Sequence, residues 1–121
     1  MKLKDCYNFE DFRNLAKKKL PDPIFQYIEG GSDDEITLNR NTEAFNDCDL
    51  VPNVLSDVEN VDLSTTVFGK KINFPIFLAP TAMHRLYHHH GEMAAALAAE
   101  KFGTIFSMST MSTTSIEEIG N

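Results

Sequence analysis

Apolar positions along the first third of the chain recur at helical spacing. Phe9, Phe12, Leu15, Ala16 and Leu20 fall on one stripe, and Asn8 before them is a natural N-cap. Pro21 and Pro23 break that helix and restart the chain in a second one. There, Ile24, Tyr27 and Ile28 stand three and four residues apart and share a face. Gly30 and Gly31 end it. A third helix is predicted from about Asp33 to Phe45, with Asp33, Asp34 and Glu35 in its first turn, where acidic side chains complement the helix dipole.

The pattern changes near Asp49. Leu50-Val51-Pro52-Asn53-Val54-Leu55 is extended in character. A short β-hairpin is predicted next, with Thr65-Thr66-Val67-Phe68, a turn at Gly69-Lys70, and Lys71-Ile72. Phe74-Pro75-Ile76-Phe77-Leu78-Ala79-Pro80 is a short apolar run bounded by proline, the pattern of a strand buried on both faces. Gly91 to Phe102 is alanine-rich and helical, and Gly103 stops it. Thr104 to Ser109 is a second buried strand, and Ser115-Ile116-Glu117-Glu118 fits a capping box. Strand, helix, strand and helix start make a βαβ unit, whose natural product is a parallel sheet. Ile119, Gly120 and Asn121 fall about one turn into the last helix. Two parallel strands can neither shield both their faces nor close a barrel. The sequence therefore reads as the beginning of a larger α/β domain. Residues 1–121 are expected to form a single incomplete domain: a helical segment over 1–48, then the hairpin and first two strands over 49–121.

Composition narrows the function classes. The formal charge is −7, from 11 Lys and Arg against 18 Asp and Glu, which argues against a nucleic-acid partner. The short basic run Lys17-Lys18-Lys19 reads as a solvated helix face. No apolar run approaches the roughly 18–20 residues that span a bilayer. Met1-Lys2-Leu3-Lys4-Asp5 carries charges where a signal peptide would be apolar, so an uncleaved cytoplasmic protein is expected. Cys6 and Cys48 lie outside any CxxC pair and read as free thiols.

Four places carry candidate chemistry. Ala79-Pro80-Thr81-Ala82-Met83 closes the first buried strand, and in an α/β barrel that end of the strand holds the active site. Small residues there let a flat ligand approach the backbone N–H groups; the same run also suits a plain βα turn. Ser109, at the end of the second strand, can hydrogen-bond a ligand or cap the next helix, while Thr114 and Ser115 read as helix caps. The phenol of Tyr27 can bind a carboxylate, or its ring can pack. His84 and His88 have the i, i+4 spacing of metal ligands, but Arg85 stands where HExxH has its glutamate. No metal site is expected, and His84, His88, His89 and His90 read as a solvated loop before the alanine-rich helix.

Taken together, these segments resemble the FMN-dependent α-hydroxy-acid dehydrogenase and oxidase family. The resemblance runs through Lys19-Leu20-Pro21, Tyr27 with Gly30-Gly31, Asp33 to Leu38, and Val51 to Leu55. It continues through Asp62 to Thr66, Phe74-Pro75-Ile76, Ala79 to Ala82, Gly91-Glu92, Gly103-Thr104 and Ser115 to Glu118. The stretch from Cys48 to Leu55 and the histidine-rich loop look most like the bacterial L-lactate dehydrogenase branch. The resemblance implies the N-terminal part of a (β/α)8 TIM barrel, entered through the helical segment, with FMN over the C-terminal ends of the strands.

It also implies roles. Tyr27 would bind the substrate carboxylate, and Ala79, Pro80, Thr81, Ala82 and Ser109 would contact the flavin. The family's base histidine and substrate arginine belong to later strands, so no catalytic residue is expected within these 121 residues. Met111 stands where many oxidases carry tryptophan. The implied reaction is oxidation of an L-2-hydroxy acid, L-lactate to pyruvate first among them, by hydride transfer to flavin N5. The implied setting is a homotetramer, cytoplasmic or peripheral to the inner membrane. The alternative is a catalytically inactive truncated product or an interaction module.

Overall fold

A computed structural model describes residues 2–55 and 58–120. Met1 and Asn121, the outer limits of the expected domain, lie outside the described residues. The chain divides into two compact units, Met1–Leu55 and Ser56–Asn121.

The first unit is helical. Asn8 caps α1 (Phe9–Lys19) as expected, its side chain accepting the Asp11 N–H at 2.9 Å. α2 (Asp22–Glu29) carries proline in its first turn, where a missing N–H removes no helical bond. Its buried residue is Phe25, while Ile24 is half-buried and Tyr27 and Ile28 are exposed. Ile24, Tyr27 and Ile28 share a face of this helix as expected, and Phe25 lies off it. The Phe25 ring lies against α1, with the Lys17 ammonium 6.0 Å from its centroid, and Leu15 is the buried residue of α1. Helix packing, not the tidiest apolar stripe, selects the buried face.

α3 (Ile36–Glu43) starts later than expected and runs into a tight turn over Ala44–Asp47. Asp33 and Glu35 sit at φ +48° and +58°, so neither belongs to a helical first turn. Glu35 instead reaches back, its carboxylate accepting the Gly31 N–H at 3.0 Å. The Val54–Leu55 end of the Leu50–Leu55 run is a turn, and no residue of the run belongs to a strand. No partner strand offers it a ladder among the described residues.

The second unit opens on the hairpin. β1 (Thr65–Val67) pairs antiparallel with β2 (Lys70–Ile72) in the register Thr65–Ile72, Thr66–Lys71 and Val67–Lys70. The turn is Phe68-Gly69, one residue earlier than expected, and both residues have positive φ. α4 (Gly91–Phe102) and α5 (Ile116–Gly120) stand where the pattern placed them. Ser115 and Glu118 form the expected capping box, with bonds of 2.8 and 3.1 Å. Among the described residues no helix is long and apolar enough to cross a membrane.

The two expected buried strands are paired in parallel, but only at the bridge between Leu78 and Phe106. Leu78 donates to Ile105 and accepts from Ser107, each at 3.0 Å. Ile76, Phe77 and Leu78 are exposed, as expected of two parallel strands that cannot shield both their faces. Parallel strands become buried only when helices and further strands cover them, and Pro75 and Pro80 have no N–H to lengthen this ladder. Gly103 joins α4 to the second of these segments at φ +66°. A Cβ there would overlap the Asn73 side chain, whose amide donates to the Phe102 carbonyl at 3.1 Å.

Candidate functional site

The bridge between Leu78 and Phe106 sets the site, because the segments leaving it carry the candidate residues. Ala79, Pro80, Thr81 and Ala82 follow Leu78 directly. Met83 ends that run in the left-handed region, at φ +53°, and donates its N–H to the Met111 carbonyl at 3.1 Å. Ser109 follows Phe106 by three residues, just before the turn that Met111 belongs to. The structure thus brings the two expected flavin-contact segments onto adjacent loops of one unit. Tyr27 belongs to α2 of the other unit. The residue is 55% exposed.

The main chain over Ala79–Ala82 is rich in open donors. Among the described residues, no hydrogen bond engages the N–H groups of Ala79, Thr81 or Ala82. Such groups are matched by something else when a site is complete. Ser109 accepts the Met111 N–H at 3.1 Å through its hydroxyl oxygen, which leaves its O–H as a donor. This local bond closes a turn rather than capping the next helix, which Ser115 caps, and it does not use up the hydroxyl.

The residue that sequence reasoning passed over is Glu92, in the first turn of α4. It is fully buried, at 0% exposure. Its Oε1 accepts the His84 N–H at 3.1 Å and the Thr113 N–H at 2.8 Å. Its Oε2 accepts the Thr113 hydroxyl at 2.6 Å and the Thr114 hydroxyl at 2.9 Å. Burial pushes this carboxyl toward its neutral form, but the bonds from Thr113 and Thr114 and the main-chain N–H groups outweigh it. They hold Glu92 well below the usual carboxylate range. The advance signals were its place in the Gly91-Glu92 pair of the family resemblance and an acidic residue in the first turn of an otherwise alanine-rich helix. Thr114, expected as a helix cap, is buried and bonded to Glu92 instead.

No group of three or more His, Cys, Asp or Glu positioned for a metal occurs among the described residues. The rings of His88, His89 and His90 lie against one another, with centroids 3.9–5.3 Å apart. The neighbouring His90 charge, with some burial and His88, pushes His89 below the usual imidazole value. His84 stands apart, its ring edge-on to Phe106 at 6.4 Å.

The donor set fits a flavin. Small side chains at Ala79 and Ala82 leave the backbone approachable. Unbonded N–H groups and the Ser109 hydroxyl can meet the heteroatoms of a flat ring. Gly91, at φ +53°, lets α4 begin against Arg85, whose Cγ lies 2.8 Å from where a Cβ would stand. That closeness keeps the first loop tucked against the helix that carries Glu92.

Comparison with known proteins agrees. The family model of FMN-dependent dehydrogenases matches residues 16–121. A peroxisomal (S)-2-hydroxyacid oxidase of Arabidopsis thaliana is 46% identical over 114 residues, covering 94% of this chain and 31% of that protein. Glycolate oxidase of Spinacia oleracea is 41% identical over the same length and shares. A soluble mutant of the membrane-associated (S)-mandelate dehydrogenase from Pseudomonas putida superposes with a TM-score of 0.89 at 36% identity. It covers 95% of this chain and 33% of that structure. The chain therefore spans about a third of the length of these relatives, and its fold is that of the N-terminal part of a (β/α)8 barrel. With the open backbone donors, the parallel bridge and the matched length all pointing one way, the chain belongs to the FMN-dependent dehydrogenase family.

Proposed function

We propose that this chain forms the first part of a single catalytic domain that oxidises a small L-2-hydroxy acid, with L-lactate as the preferred substrate. The observation that carries the reading is the run of unbonded N–H donors at Ala79, Thr81 and Ala82, beside Ser109 on the adjacent loop. FMN, when bound, supplies the two-electron acceptor. In this reading Ala79–Ala82 present backbone donors to the ring, and Ser109 adds a hydroxyl. Tyr27 donates its phenol to the substrate carboxylate, which orients the α-carbon. The proton of the substrate hydroxyl goes to a residue outside these 121 positions.

Relatives named as 2-hydroxyacid and glycolate oxidases support the substrate class. The choice of lactate rests on the likeness of Cys48–Leu55 and the histidine-rich loop to the L-lactate dehydrogenase branch. A homotetramer completes the reading. So does a cytoplasmic setting with peripheral attachment to the inner membrane, which the membrane-associated Pseudomonas putida relative supports.

Steady-state oxidation of L-lactate, D-lactate and glycolate by the complete barrel tests the proposal. L-lactate should give the highest kcat/KM and D-lactate none. Glycolate exceeding L-lactate would overturn the lactate assignment, and activity with none of the three would overturn the substrate class.

A further inference from the structure

We infer that Glu92 is a positioning residue that fastens the first βα loop to the second and thereby fixes the flavin-facing segments against each other. The inference about flavin rests on the function proposed above. The fastening rests on hydrogen bonds alone. One carboxylate gathers donors from both loops: His84 from the first, Thr113 and Thr114 from the second. The acceptor is fully buried, at 0% exposure; the bond from Thr114 is buried and the other three are part-buried. Shielded bonds to a charged acceptor are among the stronger ones a protein makes.

The tie acts at the right place. His84 lies two residues beyond Ala82, and Thr113 four beyond Ser109. A second tie runs parallel to it, from the Met83 N–H to the Met111 carbonyl, and a third from the Arg85 N–H to the Thr113 hydroxyl at 3.3 Å. Among the described residues only Glu92 reaches both loops from a helix, so it anchors the pair to α4 as well as to each other.

Substitutions separate positioning from bulk stability. Glu92→Gln keeps an oxygen for the His84 and Thr113 N–H groups. Its amide can donate to the two threonine hydroxyls, which reverse direction freely. Glu92→Ala loses every bond, and Thr114→Val removes one. Hydrogen exchange over residues 79–85 and 109–114 and FMN affinity would be measured in the complete barrel for each variant. Glu92→Gln should match the parent in both readouts. Glu92→Ala should lose protection in both loops while the middle of α4 keeps it. It should also weaken FMN by about tenfold or more, the scale of one charge-assisted bond. Thr114→Val should keep the fold and weaken FMN by a few-fold.

If Glu92→Ala keeps loop protection, or loses it evenly across α4, the inference is overturned. The same holds if Thr114→Val and Glu92→Ala both bind FMN like the parent. A parent that binds no FMN sinks the proposed function, while the exchange data still decide whether Glu92 fastens the loops.

Discussion

Each unit of the chain uses a glutamate to tie its parts together, and the two glutamates meet different solvents. In the first unit, Glu29 of α2 accepts Arg13 of α1 through Nε at 2.6 Å and through a second guanidinium nitrogen. Both side chains remain open to water, 28% and 37% exposed. Arg13 is held above its ordinary value by Glu29 and Glu10, and Glu29 below its own by Arg13. Water and salt screen that pair, so it contributes little. In the second unit, Glu92 has no water to fall back on. Its carboxylate accepts four hydrogen bonds, and the buried Thr114 hydroxyl loses its acceptor without it. The formal ion pair is the decorative contact, and the carboxylate that meets only neutral donors is the structural one.

That contrast is open to test, beginning with the largest effect. Glu92→Ala should lower unfolding stability by about 3 kcal/mol in denaturant titration, because a buried polar network loses its hub. The sign with pH follows. The folded carboxyl is depressed, so its contribution is fully present above about pH 4.3, the unfolded value, and drains as acid protonates it. Glu92→Gln should therefore show a flatter acid limb than the parent.

Gly103→Ala comes next, at about 2 kcal/mol, since φ +66° strains any side chain and the Cβ meets Asn73. In the first unit, Asn8→Ala should cost about 1 kcal/mol, the worth of an N-cap that accepts one N–H. Arg13→Gln should be the smallest change of the set, and it should shrink further when the titration is repeated at high salt. An Arg13 effect as large as that of Glu92 would break the comparison.

The sequence made much of this legible where the signals are local. Asn8, Gly103 and the Ser115–Glu118 box mark helix ends through their own side chains and backbone, so α1, α4 and α5 fell close to where the pattern put them. The candidate site was legible as two segments, Ala79–Ala82 and Ser109, because a parallel βαβ unit must bring their strand ends together. Non-local choices were not legible. Phe25 rather than Ile28 is buried because α1 packs there. Asp33 and Glu35 turn left-handed, and Glu35 bonds back to Gly31. Glu92 looked like an ordinary helix-start acid. Its partners lie 8 and 21–22 residues away, and no spacing rule on one element points to them.

The central claim is that the loops tied by Glu92 form part of a flavin site. The most direct measurement is an equilibrium titration of the FMN-free complete barrel with FMN, followed by quenching of flavin fluorescence. Saturable quenching at one FMN per chain, weakened in Glu92→Ala and retained in Glu92→Gln, is the predicted result. Flavin fluorescence that stays unquenched by the folded parent would contradict it.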